Sequence, residues 1–455
     1  MTFKKVIENN FCVGCGACAA VPDVPVNIDV RENGFYQAKV ANDLSEDQIN
    51  SVNKLCPFSS AAKNEDELGS HLFKDKKHDD KIGFYDNLYA GYRNLKEDRL
   101  NSSSGGLTTW FAEKLLENDE IDSIIHVGQT DNIFEYKVSK AITELKDKAN
   151  KKSRYYPVTY SHLTEYIVTT KDRLLFIGIP CIVKSIRLLQ KEYDLTNIKY
   201  VVALLCGHMK SKYFAESLAW QLGISPKNLQ AIDFRVKKPN YKASDYFISV
   251  QSKITQKNIV KKNQSLLGAN WGHGFFKHKS CDFCDDLAGE LADVTFGDAW
   301  LSQYTSDYLG TNIVISRSKV FDQYIKDFSE EVTLDKVTID DFYNTQAGNY
   351  RHRRDGLPVR VKNSRTWTPT KRLNLSAQEV NKERENLYLY RSYLSEKSTH
   401  NFIIAKKYNS IIIFRILMLP ILLKYDLINL GLLKAIKFNI KKCIANILNL
   451  FRKKY

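Results

Sequence analysis

The sequence predicts an α/β (α+β) protein. Its main domain is built on a mixed, partly parallel sheet, with a small cysteine-bearing module before it and a basic amphipathic helical tail after it. Three observations predict this. Cysteines crowd the first 62 residues in a metal-ligand pattern, short apolar runs alternate with helix-like stretches over residues 85–330, and residues 400–455 interleave basic with apolar side chains.

Residues 1–62 carry the run Cys12-Val13-Gly14-Cys15-Gly16-Ala17-Cys18 and a separate Cys56-Pro57, with little helical periodicity. Three thiolates spaced C-x2-C-x2-C wrap three corners of one small cluster, and a distant Cys-Pro supplies the fourth. The pattern predicts a ferredoxin-like module holding one 4Fe-4S cluster on Cys12, Cys15, Cys18 and Cys56. Four thiolates also suit structural zinc, but zinc sites usually present two separated pairs. A two-cluster ferredoxin would have a cysteine four residues after Cys18, where this chain has Pro22. Residues 63–84, rich in Lys, Asp, Glu and His, read as a solvated connection.

The main domain is expected over 85–330. Ile121 to Gly128, Leu174 to Gly178 and Tyr200 to Cys206 read as buried strands between helices, and Ala231 to Val236 and Tyr246 to Val250 as a mixed continuation of the sheet. Cys181 and Cys206 follow strands, and Cys281 and Cys284 form a C-x2-C pair. These four suit a second cluster at one sheet edge, and equally suit buried free cysteines. The loop Asn101-Ser102-Ser103-Ser104-Gly105-Gly106 precedes an apolar helical face. Such a loop offers a phosphate cradle at a helix N-terminus, or merely a serine N-cap with flexible glycines.

Residues 331–399 read as an extension. Within it, Arg351, Arg353 and Arg354 suit a phosphate contact or, more simply, a solvated basic loop. From His400 to Tyr455 there are eleven Lys or Arg against one acid, Asp426. Arg415, Lys424 and Asp426 break the apolar runs below the length that spans a bilayer. The tail is therefore expected to lie on an anionic membrane surface, with packing of its apolar stripe on the main domain as the alternative. The body is only mildly basic and shows no nucleic-acid motif, so no nucleic acid is expected as a partner. The opening residues lack an apolar leader-like run and nine is an odd cysteine count. Both predict a reducing, cytoplasmic setting without disulfides, peripheral at the inner face of the cell membrane if the tail engages lipid. Cys443 looks incidental.

Taken in order from about residue 8 to about 320, these motifs resemble the coenzyme F-420 hydrogenase/dehydrogenase beta-subunit family, which also includes a 7-hydroxymethyl chlorophyll a reductase. The resemblance rests on the Cys12–Cys18 run, Asn33-Gly34-Phe35-Tyr36, Cys56-Pro57-Phe58, Ser103-Ser104-Gly105-Gly106, Gly178-Ile179-Pro180-Cys181 and Leu205-Cys206-Gly207-His208. Cys281-Asp282-Phe283-Cys284, the stretch from Ala292 to Trp300 and Gly310-Thr311-Asn312-Ile313-Val314-Ile315 complete it. It implies FAD against Ser103, Ser104, Gly105 and Gly106, and a second 4Fe-4S cluster on Cys181, Cys206, Cys281 and Cys284. It further implies a ferredoxin or similar electron donor and a flavin-dependent reduction of a small-molecule or glycan-precursor substrate, in the setting of cell-surface polysaccharide biosynthesis. A non-catalytic electron-transfer subunit and a deazaflavin-dependent reductase are the alternatives. No catalytic acid or base is assigned.

Overall fold

The computed structural model describes residues 2–40, 44–130, 133–147, 151–372 and 380–437. Cys443 and the tail beyond 437 lie outside the described residues. The N-terminal part pairs β1 (Val26–Val30) with β2 (Tyr36–Val40) antiparallel, between helices Thr2–Glu8 and Glu46–Leu55. The second helix starts on a capping box in which the Ser45 and Gln48 side chains each accept from the other's backbone N–H. It stops at Cys56 because Pro57 disfavours helical backbone before it. The Asn53 side chain accepts from Thr2 Oγ1 (2.7 Å) and the Phe3 N–H (2.8 Å), tying the two helices together.

Residues 63–84 are not a plain connection. Helix Glu65–Leu72, capped reciprocally by Asn64 and Glu67, precedes a hairpin of β3 (Lys77–Asp79) and β4 (Gly83–Tyr85). Leu68, Phe73 and Ile82 are buried. One apolar residue per turn suffices to pin so short an element, and the surrounding charges hid that pattern.

The strands that follow are β5 (Asn87–Arg93), β6 (Ser123–Thr130), β7 (Ile133–Ser139), β8 (Leu174–Gly178) and β9 (Ile198–Leu204). Next come β10 (Leu229–Val236), β11 (Phe247–Ser252), β12 (Asn258–Lys262), β13 (Val294–Asp298), β14 (Asn312–Ser316) and β15 (Val332–Lys336). Eight of them form one sheet in the order β15-β5-β14-β13-β9-β8-β6-β7. Strands β6, β8, β9 and β13 run parallel at its centre, with antiparallel neighbours on both sides. The parallel strands are near-continuous apolar runs because both sheet faces are covered.

Two expectations change here. Strands β10 and β11 do not continue the large sheet but form a separate antiparallel sheet with β12. Ile232 and Phe234 turn one face of it inward, and Phe234 stacks on Phe214 of helix Lys212–Gln221, with ring centroids 5.9 Å apart. The large sheet also runs past residue 330, since β15 pairs with β5 at its edge.

The C-terminal part is a helical hairpin, Lys382–Lys407 and Ile411–Leu430. Phe402, Phe414 and Met418 are fully buried, and Phe414 stacks on Phe276 at 5.7 Å. Ser398 Oγ accepts from the Phe276 N–H at 2.8 Å, and Lys406 pairs with Glu216 at 2.9 Å. The packing alternative thus holds for one side of the tail. Its other side leaves Ile412, Ile416, Leu419, Leu423 and Leu427 exposed. Among the described residues no helix is long and apolar enough to cross a membrane.

The hairpin shares a core with the main domain, so Phe414→Ala should destabilise the chain by about 3–5 kcal/mol, as expected for emptying a buried phenylalanine site. A urea unfolding curve with an unchanged midpoint would show the hairpin to be dispensable.

Candidate metal centres and the neighbouring loop

Cys12, Cys15, Cys18 and Cys56 surround one cavity, walled by Phe3, Val6, Val52 and Phe58. The backbone can curl this tightly only with glycine. Gly14 (φ +64°) and Gly16 (φ +107°) are left-handed, and a Cβ on either would come within 2.4 Å of Tyr36 Cβ or 2.5 Å of the Ser161 nitrogen. The Ala38 N–H donates to Cys12 Sγ at 3.4 Å. Burial pushes the Cys15 and Cys56 thiols up to about 11 and about 12, and neighbouring thiols add to it.

Cys181, Cys206, Cys281 and Cys284 line a second cavity. Cys181 sits in the first turn of helix Pro180–Glu192, directly after β8, and Cys206 lies two residues beyond β9. Both are therefore at the carboxyl edge of the parallel strands, where open α/β sheets place their ligands. Cys281 lies in the 3-10 turn Lys279–Phe283 and Cys284 ends it. The Met209 N–H donates to Cys281 Sγ at 3.2 Å. Burial raises the Cys206 thiol to about 12 and Cys281 to about 11, with Arg353 pulling both down.

The two cavities share a wall, since Val13 and Phe58 line both. All eight cysteines are free thiols. Among the described residues, no three Cys, His, Asp or Glu side chains are close enough to grip one metal ion. The thiols instead ring apolar spaces. Four buried thiols with backbone N–H groups aimed at sulfur are the donor set that a four-iron, four-sulfur cluster uses, and a positively charged iron core offsets the cost of ionising them there.

The solvated-loop reading of Arg351–Arg354 fails for Arg353, which is 2% exposed and lines the second cavity. It sits in a π-helical turn, Arg351–Asp355, that joins two helices and turns this one guanidinium inward. Arg354 pairs with Glu290 at 2.8 Å.

The Ser/Gly loop lies beyond the carboxyl end of β5. Its hydroxyls are engaged within the fold: Ser103 Oγ accepts from the Ser153 N–H (2.6 Å) and Ser104 Oγ donates to the Thr311 carbonyl (2.8 Å). The serine N-cap alternative is also not what forms. Gly106 precedes helix Leu107–Glu117, and the Asn312 side chain of β14 accepts from the Leu107 N–H at 3.1 Å. A Cβ at Gly105 would meet the Gly91 carbonyl oxygen at 2.7 Å.

Buried cations surround this loop. Arg235 donates to the Ser103 carbonyl at 3.2 Å and pairs with Asp298 at 3.1 Å. Lys237 Nζ donates to the carbonyls of Arg99 (2.6 Å), Ser104 (2.8 Å) and Leu309, and among the described residues to no carboxylate. Burial, then Lys152 and Arg235, push Lys237 down to about 6. An anion beside this amine would restore its charge, as the phosphates of a dinucleotide would. Sequence reading missed Arg235 and Lys237, for which the basic pair flanking Val236, at the end of an apolar strand, was the available signal.

The fold is a mixed α/β one, and comparison gives the family. Residues 88–165 match the N-terminal part and residues 171–341 the C terminus of the coenzyme F420 hydrogenase/dehydrogenase beta subunit. The matched spans take in more than half of the chain, which belongs to this family of oxidoreductases. The chain is 20% identical over 349 residues to one subunit of the F(420)H(2) dehydrogenase of Methanosarcina mazei, covering 72% of this chain and 86% of that one. It is 23% identical over 318 residues to the coenzyme F420-dependent sulfite reductase of Methanocaldococcus jannaschii, covering 65% of this chain and 43% of that protein. It thus spans less than half of the reductase. Among solved structures it is similar to a chain of the xenon-derivatized F420-reducing NiFe hydrogenase complex from Methanosarcina barkeri. Identity there is 16% and the TM-score 0.44, over 60% of this chain and 91% of that chain.

Protein purified without oxygen should carry about eight iron and about eight acid-labile sulfides per chain, four for each four-iron cluster. Cys15→Ser and Cys206→Ser should each remove about half. Stoichiometric zinc in place of iron would sink this assignment.

Proposed function

We propose that this chain is an electron-transferring oxidoreductase, linking a ferredoxin or similar donor to FAD through two 4Fe-4S clusters. Cys12, Cys15, Cys18 and Cys56 hold one cluster, and Cys181, Cys206, Cys281 and Cys284 the other. The observation that carries the reading is the wall shared by the two four-thiol cavities, because electron transfer between centres needs them close. The buried Tyr136 adds support, since its hydroxyl feels both Cys15 and Cys181.

Between the second cavity and the Ser/Gly loop stand Trp271 and Tyr155. A Cβ at Gly207 would lie 2.5 Å from Trp271 Nε1, and Trp271 packs on Tyr155 at 4.9 Å. Tyr155 in turn lies close enough to Arg235 to act on its charge. Ser103, Ser104, Gly105 and Gly106, with Arg235 and Lys237, hold the flavin nucleotide in this reading. FAD, when bound, supplies the interconversion of one- and two-electron transfer. The small-molecule or glycan-precursor substrate, and the link to polysaccharide biosynthesis, rest on the resemblance alone.

A second reading is favoured by the relatives' names, both of which include F420: a deazaflavin-dependent reductase, or a non-catalytic subunit of a hydrogenase or dehydrogenase complex. Anaerobic protein should release one FAD per chain on denaturation, and its flavin absorbance should bleach with reduced ferredoxin. Absence of FAD, or bleaching with reduced F420 alone, would replace the first reading with the second.

The location proposed is the membrane surface. The exposed residues of helix Ile411–Leu430 recur every three or four positions from Ile412 to Leu427, opposite the buried Phe414–Met418 side, and are 41–63% exposed. Arg415 and Lys424 flank that stripe in the helical repeat, where their stems can follow lipid while their charges reach headgroups. Ile416→Glu with Leu419→Glu spares the buried side and should abolish pelleting with anionic vesicles at low salt. Equal pelleting of variant and wild type would exclude this face.

A further inference from the structure

Arg353 is a buried cation with no part in the function proposed above. Its guanidinium donates to four carbonyl oxygens: Cys206 (3.2 Å), Gly207 (2.7 Å), Cys284 (3.2 Å) and Asp286 (3.0 Å). All belong to the two loops that carry Cys206 and Cys284. Among the described residues no carboxylate forms an ion pair with it, although Arg354 beside it has Glu290. A charge left this far from water needs compensation. The groups it faces are the cysteine sulfurs, since its cavity is lined by all four thiols of the second set, and they become anions only as ligands of a cluster. The first cavity has no charged side chain in its lining.

We propose that Arg353 is the positioning residue that raises the reduction potential of a cluster held by Cys181, Cys206, Cys281 and Cys284, an inference that rests on the two-cluster reading. Reduction brings one electron and no proton, so the cluster with its four thiolates becomes more negative by one charge. A fixed cation in a poorly screened interior stabilises that reduced form more than the oxidised form. The four carbonyls hold the guanidinium still, so its effect is built into the fold and insensitive to salt.

The test compares Arg353→Gln and Arg353→Lys in the full chain, reading iron content and the midpoint of the second cluster by EPR-monitored titration. Both variants should keep their iron. Arg353→Gln should shift the oxidised-to-reduced ratio at a fixed potential at least tenfold toward oxidised, a fall of about 59 mV for one electron. Arg353→Lys, which keeps the charge, should shift it less than threefold. A loaded Arg353→Gln with an unmoved midpoint would make Arg353 only a staple between loops. If the Gln variant loses its iron, the Lys variant decides, and a tenfold shift there overturns the proposal. Iron unaffected by Cys206→Ser would instead refute the second cluster itself and leave the first standing.

Discussion

Eight thiols are held in two adjoining shells, and burial raises their pKa values so that none ionises readily there without a compensating positive charge. The rest of the fold is arranged around that constraint. The first shell is closed by docking the N-terminal part on the sheet. The Tyr160 N–H donates to the Cys15 carbonyl at 3.0 Å, Ser280 Oγ to the Phe11 carbonyl at 2.7 Å and Lys279 Nζ to the Asn9 carbonyl at 2.9 Å. Phe11 packs edge-on against Phe283 at 5.1 Å and Trp367 at 5.7 Å. Phe283 lies between Cys281 and Cys284, so the ring that packs on the N-terminal part belongs to the loop that builds the second shell. The N-terminal part is therefore one wall of a common core and not a bead on a linker.

What was legible in the sequence follows from how local each feature is. The first four cysteines declare themselves because three fall within seven residues and the glycines between them have one use. Cys181 and Cys206 were visible as strand ends, but only the parallel pairing of β8 and β9 makes those ends neighbours. The loop at Arg353 misled because composition alone cannot tell a solvated arginine from one turned inward by a π-helical turn. The tail misled in a different way. It is apolar around most of its circumference, and such a helix has two faces to cover. The sequence announces both without saying which is already covered by Phe275 and Phe276.

Buried cations in this protein sort by partner. Arg187 pairs with Asp293 at 2.9 Å and Arg372 with Glu290 at 2.6 Å. Lys277 and Arg360 surround Asp282 and, against the upward push of burial, hold its carboxyl well below the usual range. These are closed networks, neutral or nearly so, whose role is to fix loops. Arg353 and Lys237 bond only to carbonyls, yet among the described residues Arg317 also bonds to no carboxylate, donating to Ile82 (3.0 Å), Ala292 (3.0 Å) and Phe84 carbonyl oxygens and to the Thr295 hydroxyl. Lack of a carboxylate is therefore not in itself a mark of function.

Position makes the difference. Arg317 braces the β3–β4 hairpin against the sheet, with Glu290 and Asp286 near enough to act on its charge. Arg353 feels chiefly Cys284, Cys206 and Cys281. Lys237 is depressed by burial and by cations on two sides, against which Asp298 pulls upward. A fold stabilised for its own sake would replace Arg353 with an apolar side chain of similar volume, because an unpaired buried charge costs several kcal/mol. That cost is offset if a negative group is brought to the thiol cavity. Lys237 avoids the cost by losing its proton readily, and an anion at the Ser/Gly loop would restore its charge.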